Sequence, residues 1–192
     1  MKTLLLILVT FLPLKSNNSC LQLDIVLIGD ISGSVQGFEP FIRKAFLSFS
    51  NKFELDEDGV NIGVMVFNDI PYVLCPVTAD KSKFNIAITN VPAASGSTNM
   101  LRAFYVAMEE LLQNGRPGYK KIIIVVSDGM PDDKYEVMVA AKQMQAVGID
   151  VYGLLITNAM YDESFMESIS VQYFASKYED LADKIKKLDI CL

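Results

Sequence analysis

Short apolar runs rich in Ile, Val and Leu alternate along the chain with segments whose apolar residues recur every three or four positions. Runs of this kind that end in polar turns are typical of strands buried on both faces, and the longer recurrence is typical of amphipathic helices. The pattern predicts strands at residues 24–29, 60–67, 72–77, 121–126, 149–156 and 171–175. It predicts helices at residues 37–53, 81–91, around 101–112, 131–146 and 161–169, and a last helix that buries Tyr178, Leu181, Ala182, Ile185 and Leu188.

The link between the second and third predicted strands, residues 68–71, fixes their relative direction. So short a link makes an antiparallel hairpin, because parallel strands need a longer crossover. Elsewhere strands and helices alternate, which favours parallel pairing. The sequence therefore predicts one α/β domain: a doubly wound, Rossmann-like sheet of six mostly parallel strands, with one antiparallel edge strand and helices on both faces.

The first predicted strand ends abruptly in oxygen-bearing side chains, Asp30, Ser32 and Ser34, with Gly33 loosening the backbone between the serines. In an extended segment, residues at i, i+2 and i+4 project to the same side. One carboxylate and two hydroxyls are then expected to converge just beyond the strand. Such hard oxygen donors suit Mg²⁺, Mn²⁺ or Ca²⁺ rather than zinc or copper.

The fourth predicted strand also ends in a carboxylate, in the turn Ser127-Asp128-Gly129. Folds of this class bind ligands beyond the carboxyl ends of strands, where the strand order reverses. If the first and fourth strands are neighbours, Asp30 and Asp128 face each other there, and their repulsion makes a cation the natural occupant. Thr98, next to the Gly- and Ser-rich loop at residues 92–97, can reach the same place.

Three sequence segments together, DISGS at residues 30–34, GSTN at 96–99 and SDG at 127–129, resemble the metal-ion-dependent adhesion site of the von Willebrand factor type A domain, the family that includes integrin inserted domains. The resemblance covers about residues 20–190. It implies that Ser32, Ser34 and Thr98 bind the ion through hydroxyls, and that Asp30 and Asp128 bind it directly or through water. The implied cofactor is Mg²⁺, with Mn²⁺ or Ca²⁺ as alternatives.

The resemblance also implies a function without catalysis. Such a site keeps one coordination position open, and a Glu or Asp carboxylate of a partner protein fills it. Each of the five residues has an ordinary alternative role: acids after strands often cap helices, and Ser and Thr are common in turns. Five such residues at one predicted edge favour the metal site over these roles.

Two alternatives of another kind remain open at this stage. A Mg²⁺-dependent phosphotransferase or phosphatase of the haloacid dehalogenase type would use Asp30 as its nucleophile. That chemistry needs a second acid where this chain has Ser32, and no G-x-x-x-x-G-K-[ST] phosphate loop is present. The other alternative is a structural module whose metal site stays unused.

The amino-acid composition excludes several classes of function. The net charge of −6 argues against binding nucleic acid through its phosphates, and the complete lack of histidine excludes His-dependent catalysis and His-containing metal sites.

The apolar run at residues 4–14 is too short to span a bilayer and lies where a secretory signal has its apolar core. We therefore predict a signal peptide at residues 1–19, cleaved after about Ser16 to Ser19, and a secreted, extracellular domain at residues 20–192. A buried N-terminal strand is the less favoured interpretation. Removing residues 1–16 takes away two lysines and no acid, which leaves a net charge of −8.

The three cysteines fit an oxidising compartment. A bond between Cys20 and Cys191 would join the two ends of the domain and leave Cys75 as a buried free thiol. Three reduced cysteines, or a lipidated Cys20, are the alternatives. If the bond forms, it tethers the last helix to the first strand, and we expect that helix to shift little when a ligand binds.

Overall fold

The computed structural model describes residues 22–157 and 160–190, and they form a six-stranded sheet in the order β3-β2-β1-β4-β5-β6. Only the β2–β3 pair is antiparallel, and β3 lies at the edge. The predicted fold class is confirmed. The strands are β1 Leu23–Asp30, β2 Val60–Phe67, β3 Pro71–Thr78, β4 Lys120–Ser127, β5 Ile149–Ile156 and β6 Gln172–Ser176.

Helices cover both faces of the sheet. On one face, α1, α2 and α6 pack over the side chains of Leu23, Ile25 and Leu27, while α3, α4 and α5 pack over Val26 and Ile28 on the other. Successive β1 residues point to opposite faces, so this run of apolar residues supplies both cores. The helices are α1 Glu39–Ser50, α2 Lys81–Thr89, α3 Met100–Gln113, α4 Lys134–Ala146, α5 Glu163–Ile169 and α6 Leu181–Lys184.

The prediction of one continuous last helix is wrong. The segment consists of a 3₁₀ turn at Tyr178–Asp180, the single α-turn of α6 and a second 3₁₀ turn at Ile185–Lys187. The residues predicted to be buried are buried. Their spacing explains the difference, because apolar side chains at 182, 185 and 188 recur every three residues, which matches the 3₁₀ repeat rather than 3.6.

The strand order reverses between β1 and β4. The chain runs outward from β1 to β2 and β3, then crosses back to place β4 on the other side of β1. The carboxyl ends of β1 and β4 therefore lie side by side at the switch point, where doubly wound folds bind ligands. Both strands are parallel and in register from Leu23–Lys120 to Gly29–Val126.

A buried ion pair stabilises the other end of the strands, where the parallel strands begin. Asp24 is fully buried and Arg116 is 18% exposed. The Arg116 Nε and Nη2 atoms donate to Asp24 Oδ1 at 2.8 and 2.6 Å, and the Arg116 backbone N–H donates to Oδ2 at 2.5 Å. The guanidinium also donates to four main-chain carbonyls and stacks on the Tyr119 ring, 3.8 Å from its centroid; the carbonyls belong to Leu23, Asp56, Glu57 and Gly59.

The cysteine prediction is tested only in part. Cys75 lies buried in β3 as a free thiol, as expected. Cys20, Cys191 and the predicted signal peptide fall outside the described residues. Among the helices described, none is both long and apolar enough to cross a membrane.

Candidate metal centre

Asp30, the last residue of β1, is fully buried and both of its carboxylate oxygens accept hydrogen bonds. The Ser32 backbone N–H donates to Oδ1 at 2.8 Å, and the Ser127 hydroxyl donates to Oδ2 at 2.6 Å. Ser127 ends β4, the neighbouring strand, so the parallel register brings the two side chains together. The orientation of Asp30 is thus fixed by its own turn and by the next strand.

The turn after β4 presents a second buried carboxylate, Asp128. Its Oδ1 accepts the Met130 backbone N–H at 3.2 Å, but Oδ2 is buried and has no hydrogen-bond partner within the described chain. The turn needs glycine at position 129, where φ is +75° and a Cβ would come within 2.7 Å of the Asp162 carbonyl oxygen. The Asp162 backbone N–H in turn donates to the Asp128 carbonyl at 3.1 Å.

The two buried carboxylates repel each other. Burial, and then the negative charge of Asp128, raise the pKa of Asp30 from 3.8 to about 6, although hydrogen bonds from Ser127 and Ser32 act in the opposite direction. A buried charge with no counter-charge is costly, and so is a buried acceptor without a donor. A divalent cation between these two carboxylates would remove both costs.

Ser32 and Ser34 also meet at this edge. Ser32 is buried, Ser34 is exposed, and their Oγ atoms lie 3.2 Å apart. The backbone between them is not extended as predicted, because the chain turns into a 3₁₀ turn at Gly33–Val35. The hydroxyls converge through that turn instead of through alternation along a strand.

The loop before α3 is attached to the same turn by main-chain hydrogen bonds. The Ser95 N–H donates to the Ile31 carbonyl at 2.8 Å, and the Gly33 N–H donates to the Gly96 carbonyl at 3.0 Å. Thr98, two residues further on, is largely buried. The structure therefore brings the Thr98 segment to the serine turn, as expected from sequence.

Asp132 connects Thr98 to the loop after β4, a contact that sequence reasoning missed. The Thr98 N–H donates to Asp132 Oδ2 at 3.2 Å, and the Asp132 N–H donates to the Thr98 carbonyl at 3.3 Å. Ser127 and Glu39 were missed as well; the buried Glu39 accepts the Ala94 N–H at 2.5 Å and anchors the Thr98 loop to α1. Ser127 lies in the SDG segment, but nothing local in the sequence assigns a role to any of these residues, because each acts through a segment distant along the chain.

Comparison with known proteins identifies the family of the chain. The family profile described as von Willebrand factor type A domain matches residues 24–188, nearly the whole described chain. The chain belongs to the von Willebrand factor type A (vWA) family. The resemblance inferred from three short motifs is confirmed at the level of the family.

Relatives of this vWA domain include cuticlin-6 of Caenorhabditis elegans, 28% identical over 141 residues, and matrilin-3 of Gallus gallus, 29% identical over 146 residues. The matches cover 70% and 71% of this chain but only 24% and 32% of those proteins. The chain thus spans about a quarter to a third of the relatives' length, and their other segments have no counterpart in the match.

Solved structures show the same fold at low identity. Manganese-loaded Plasmodium vivax TRAP protein is 19% identical with a TM-score of 0.70, over 86% of this chain and 72% of that one. Proximal thread matrix protein 1 from the mussel byssus, in a structure with a zinc-occupied MIDAS motif, is 17% identical with a TM-score of 0.72, over 88% of this chain and 46% of that one.

The donor set fits a hard divalent cation. No three His, Cys, Asp or Glu side chains of the described segments come together to hold a metal. The candidate site instead combines two carboxylates with hydroxyl groups, and the unpartnered Asp128 Oδ2 leaves one buried acceptor available. Oxygen donors of this kind suit Mg²⁺, Mn²⁺ or Ca²⁺.

Proposed function

We propose that this vWA domain is a secreted, non-catalytic protein-binding domain that holds a divalent cation between the carboxyl ends of β1 and β4. The cation binds an acidic residue of a partner protein. The observation that carries the proposal is the buried, unpaired Oδ2 of Asp128 beside the buried Asp30, since two like charges without a counter-ion are unfavourable there.

The proposed ligands are the hydroxyls of Ser32, Ser34 and Thr98 and the carboxylates of Asp30 and Asp128, either directly or through water. Two carboxylates offset the charge of a divalent ion, and the remaining protein donors are neutral. Mg²⁺ takes about six oxygens. This set therefore leaves room for one carboxylate from outside, and Mg²⁺ is our first choice, with Mn²⁺ and Ca²⁺ as alternatives.

The relatives support an extracellular setting. A cuticlin, a matrilin and collagen VI chains are extracellular matrix proteins. Binding of a protein partner in such a setting agrees with an oxygen-lined site built on loops at the carboxyl ends of the strands. The partner's identity does not follow from the site, because any exposed Asp or Glu offers the same carboxylate.

A phosphotransferase function has no support from the site. Asp30 accepts one hydrogen bond at each of its oxygens, which orients the carboxylate and leaves lone pairs for a cation. Ser32 stands where that chemistry needs a second acid. The proposed role of Asp30 is therefore metal binding.

Signal cleavage and a Cys20–Cys191 disulfide belong to the same proposal. The flanking residues support the bond: the Lys120 N–H donates to the Gln22 carbonyl at 3.1 Å and Lys120 Nζ donates to the Ile190 carbonyl at 3.4 Å, so residues 22 and 190 contact the same lysine. We expect protein secreted from eukaryotic cells to start after Ser16 or Ser19. In denaturant without reductant, iodoacetamide should modify one cysteine, Cys75. With reductant it should modify all three cysteines. Uptake of three without reductant would contradict the disulfide.

Metal binding is tested with Mn²⁺ as the probe. We expect the unmodified chain to bind one Mn²⁺, measured by the loss of the free-ion electron paramagnetic resonance signal, and Asp30→Ala to lose at least 100-fold in affinity. Ser95→Ala is the matched control, since this exposed serine lies in the same loop as Thr98 and is not a proposed ligand. Equal Mn²⁺ affinity in all three proteins would contradict the proposal.

The open coordination position has its own measurement. Water bound to Mn²⁺ exchanges with the bulk and speeds the relaxation of solvent protons. If the ion keeps an accessible position, acetate should displace water and lower the relaxation rate of the Mn²⁺-loaded protein. Acetamide, of similar size but uncharged, should not. No difference between the two would contradict carboxylate binding while leaving metal binding intact.

A further inference from the structure

We propose that Ser127 is a positioning residue of the metal site, whose hydroxyl holds Asp30 in its binding orientation and ties it to the turn that carries Asp128. The inference rests on the proposed function, because it concerns the same cation. Ser127 is not among the five residues that the sequence motifs assign as ligands. Its role is inferred from its contacts.

The Ser127 hydroxyl has both of its hydrogen-bonding functions in use. Its Oγ accepts the Gly129 backbone N–H at 3.1 Å, and a backbone N–H can only donate. It lies 2.6 Å from Asp30 Oδ2, and an ionised carboxylate can only accept. The hydroxyl proton therefore points at Asp30, and Ser127 joins the last residue of β1 to the turn after β4.

This pair of contacts restrains both proposed carboxylate ligands. Ser32 N–H and Ser127 Oγ–H donate to different oxygens of Asp30, so the carboxylate cannot rotate without losing one of them. The Gly129 contact restrains the residue next to Asp128. Ser127 is fully buried, so water cannot readily replace its hydroxyl. Removing a residue that hydrogen-bonds to a metal ligand commonly lowers metal affinity by about 10- to 100-fold.

A purely structural role makes a different prediction. If the hydroxyl only satisfies buried polar groups, its removal lowers the stability of the metal-free protein and leaves the metal affinity of the folded protein unchanged. If it positions Asp30, its removal weakens Mn²⁺ binding and alters the electronic environment of the bound ion. The two roles therefore separate in the metal measurement.

Three variants test the proposal by Mn²⁺ titration and by the zero-field splitting of bound Mn²⁺. We expect Ser127→Ala to weaken Mn²⁺ binding about 10- to 100-fold and to change the splitting. Ser127→Thr keeps the hydroxyl and should bind within about threefold of the unmodified chain. Ser50→Ala is the matched control: Ser50 is also fully buried, but its hydroxyl donates to the Leu47 carbonyl at the end of α1, and its loss should leave Mn²⁺ affinity unchanged.

Each variant is first shown to be folded by its thermal unfolding transition in EDTA. If Ser127→Thr does not fold, the comparison of Ser127→Ala with Ser50→Ala decides. Mn²⁺ affinity of Ser127→Ala within threefold of the unmodified chain, with the same splitting, would overturn the positioning role while the proposed metal site stands. Failure of the unmodified chain to bind Mn²⁺ would overturn both.

Discussion

Asp128→Asn is expected to abolish the stabilisation of this vWA domain by Mn²⁺ and, at the same time, to make the metal-free protein more stable. The unmodified chain should gain about 2.7 kcal/mol of unfolding free energy at a Mn²⁺ concentration 100 times its Kd. The variant should gain none at that concentration, because it lacks the carboxylate whose Oδ2 is buried and unpaired within the described structure.

The opposite effect in the absence of metal follows from Asp30. Its pKa is raised to about 6 in the folded protein, by burial and by Asp128, against 3.8 as the ordinary value. Between these pH values the folded protein keeps a proton that the unfolded chain has released, so stability falls as the pH rises through this window and the cost is complete above about pH 6. Removing the Asp128 charge removes the part of that cost that comes from repulsion between the two carboxylates, so Asp128→Asn should be more stable than the unmodified chain at pH 7.5 in the absence of metal.

Urea unfolding at pH 7.5, in EDTA and in saturating Mn²⁺, measures both effects. Asp58→Asn is the control, because this exposed carboxylate lies at the opposite edge of the sheet, just before β2. It should keep the full gain from Mn²⁺. A gain of equal size in Asp128→Asn would exclude Asp128 as a ligand.

Arg116→Ala should lower the free energy of unfolding by about 3–5 kcal/mol. Removing one partner of a buried ion pair leaves the other charge buried without compensation. Asp24 has no exposure, and the guanidinium also satisfies four main-chain carbonyls at the start of the sheet.

Two further variants define the cause of that loss. Arg116→Lys keeps the charge but not the planar fork of donors, so it should recover only part of the stability. Arg102→Ala, which removes an exposed arginine from α3, should change it by no more than about 0.5 kcal/mol. Mn²⁺ affinity should be unchanged in every variant that folds. Arg116 lies near the ends at which the parallel strands begin, whereas the metal site lies at the ends at which they finish. A loss below about 1 kcal/mol in Arg116→Ala would show that the pair contributes little.

Sequence patterns predicted the elements well where burial alone specifies them. The run at residues 24–29 is apolar apart from Asp24, and the structure buries every residue of β1. The hairpin of β2 and β3 followed from the length of its link, and the edge position of β3 is confirmed. These predictions held because side-chain periodicity and chain length act locally, and the later packing agrees with them.

The predictions failed where a local pattern admits two geometries. A spacing of three and four residues fits both an α-helix and successive 3₁₀ turns, and the C-terminal segment uses both. The segment from Asp30 to Ser34 was expected to be extended, yet it turns at Gly33–Val35 and still brings the two hydroxyls within 3.2 Å. In each case the sequence predicted which side chains face the core or come together, but it predicted the wrong backbone conformation.

By itself, the sequence determined the family, the order of strands and helices, and the five oxygen donors proposed as ligands, because each of these is encoded in contiguous residues. Only the tertiary structure decided that Ser127 meets Asp30 and that Arg116 pairs with Asp24, residues 97 and 92 positions apart. Strand register and the crossover to β4 set those contacts. Neither leaves a mark within a short stretch of sequence, and the energy of a buried contact depends on what surrounds it in space.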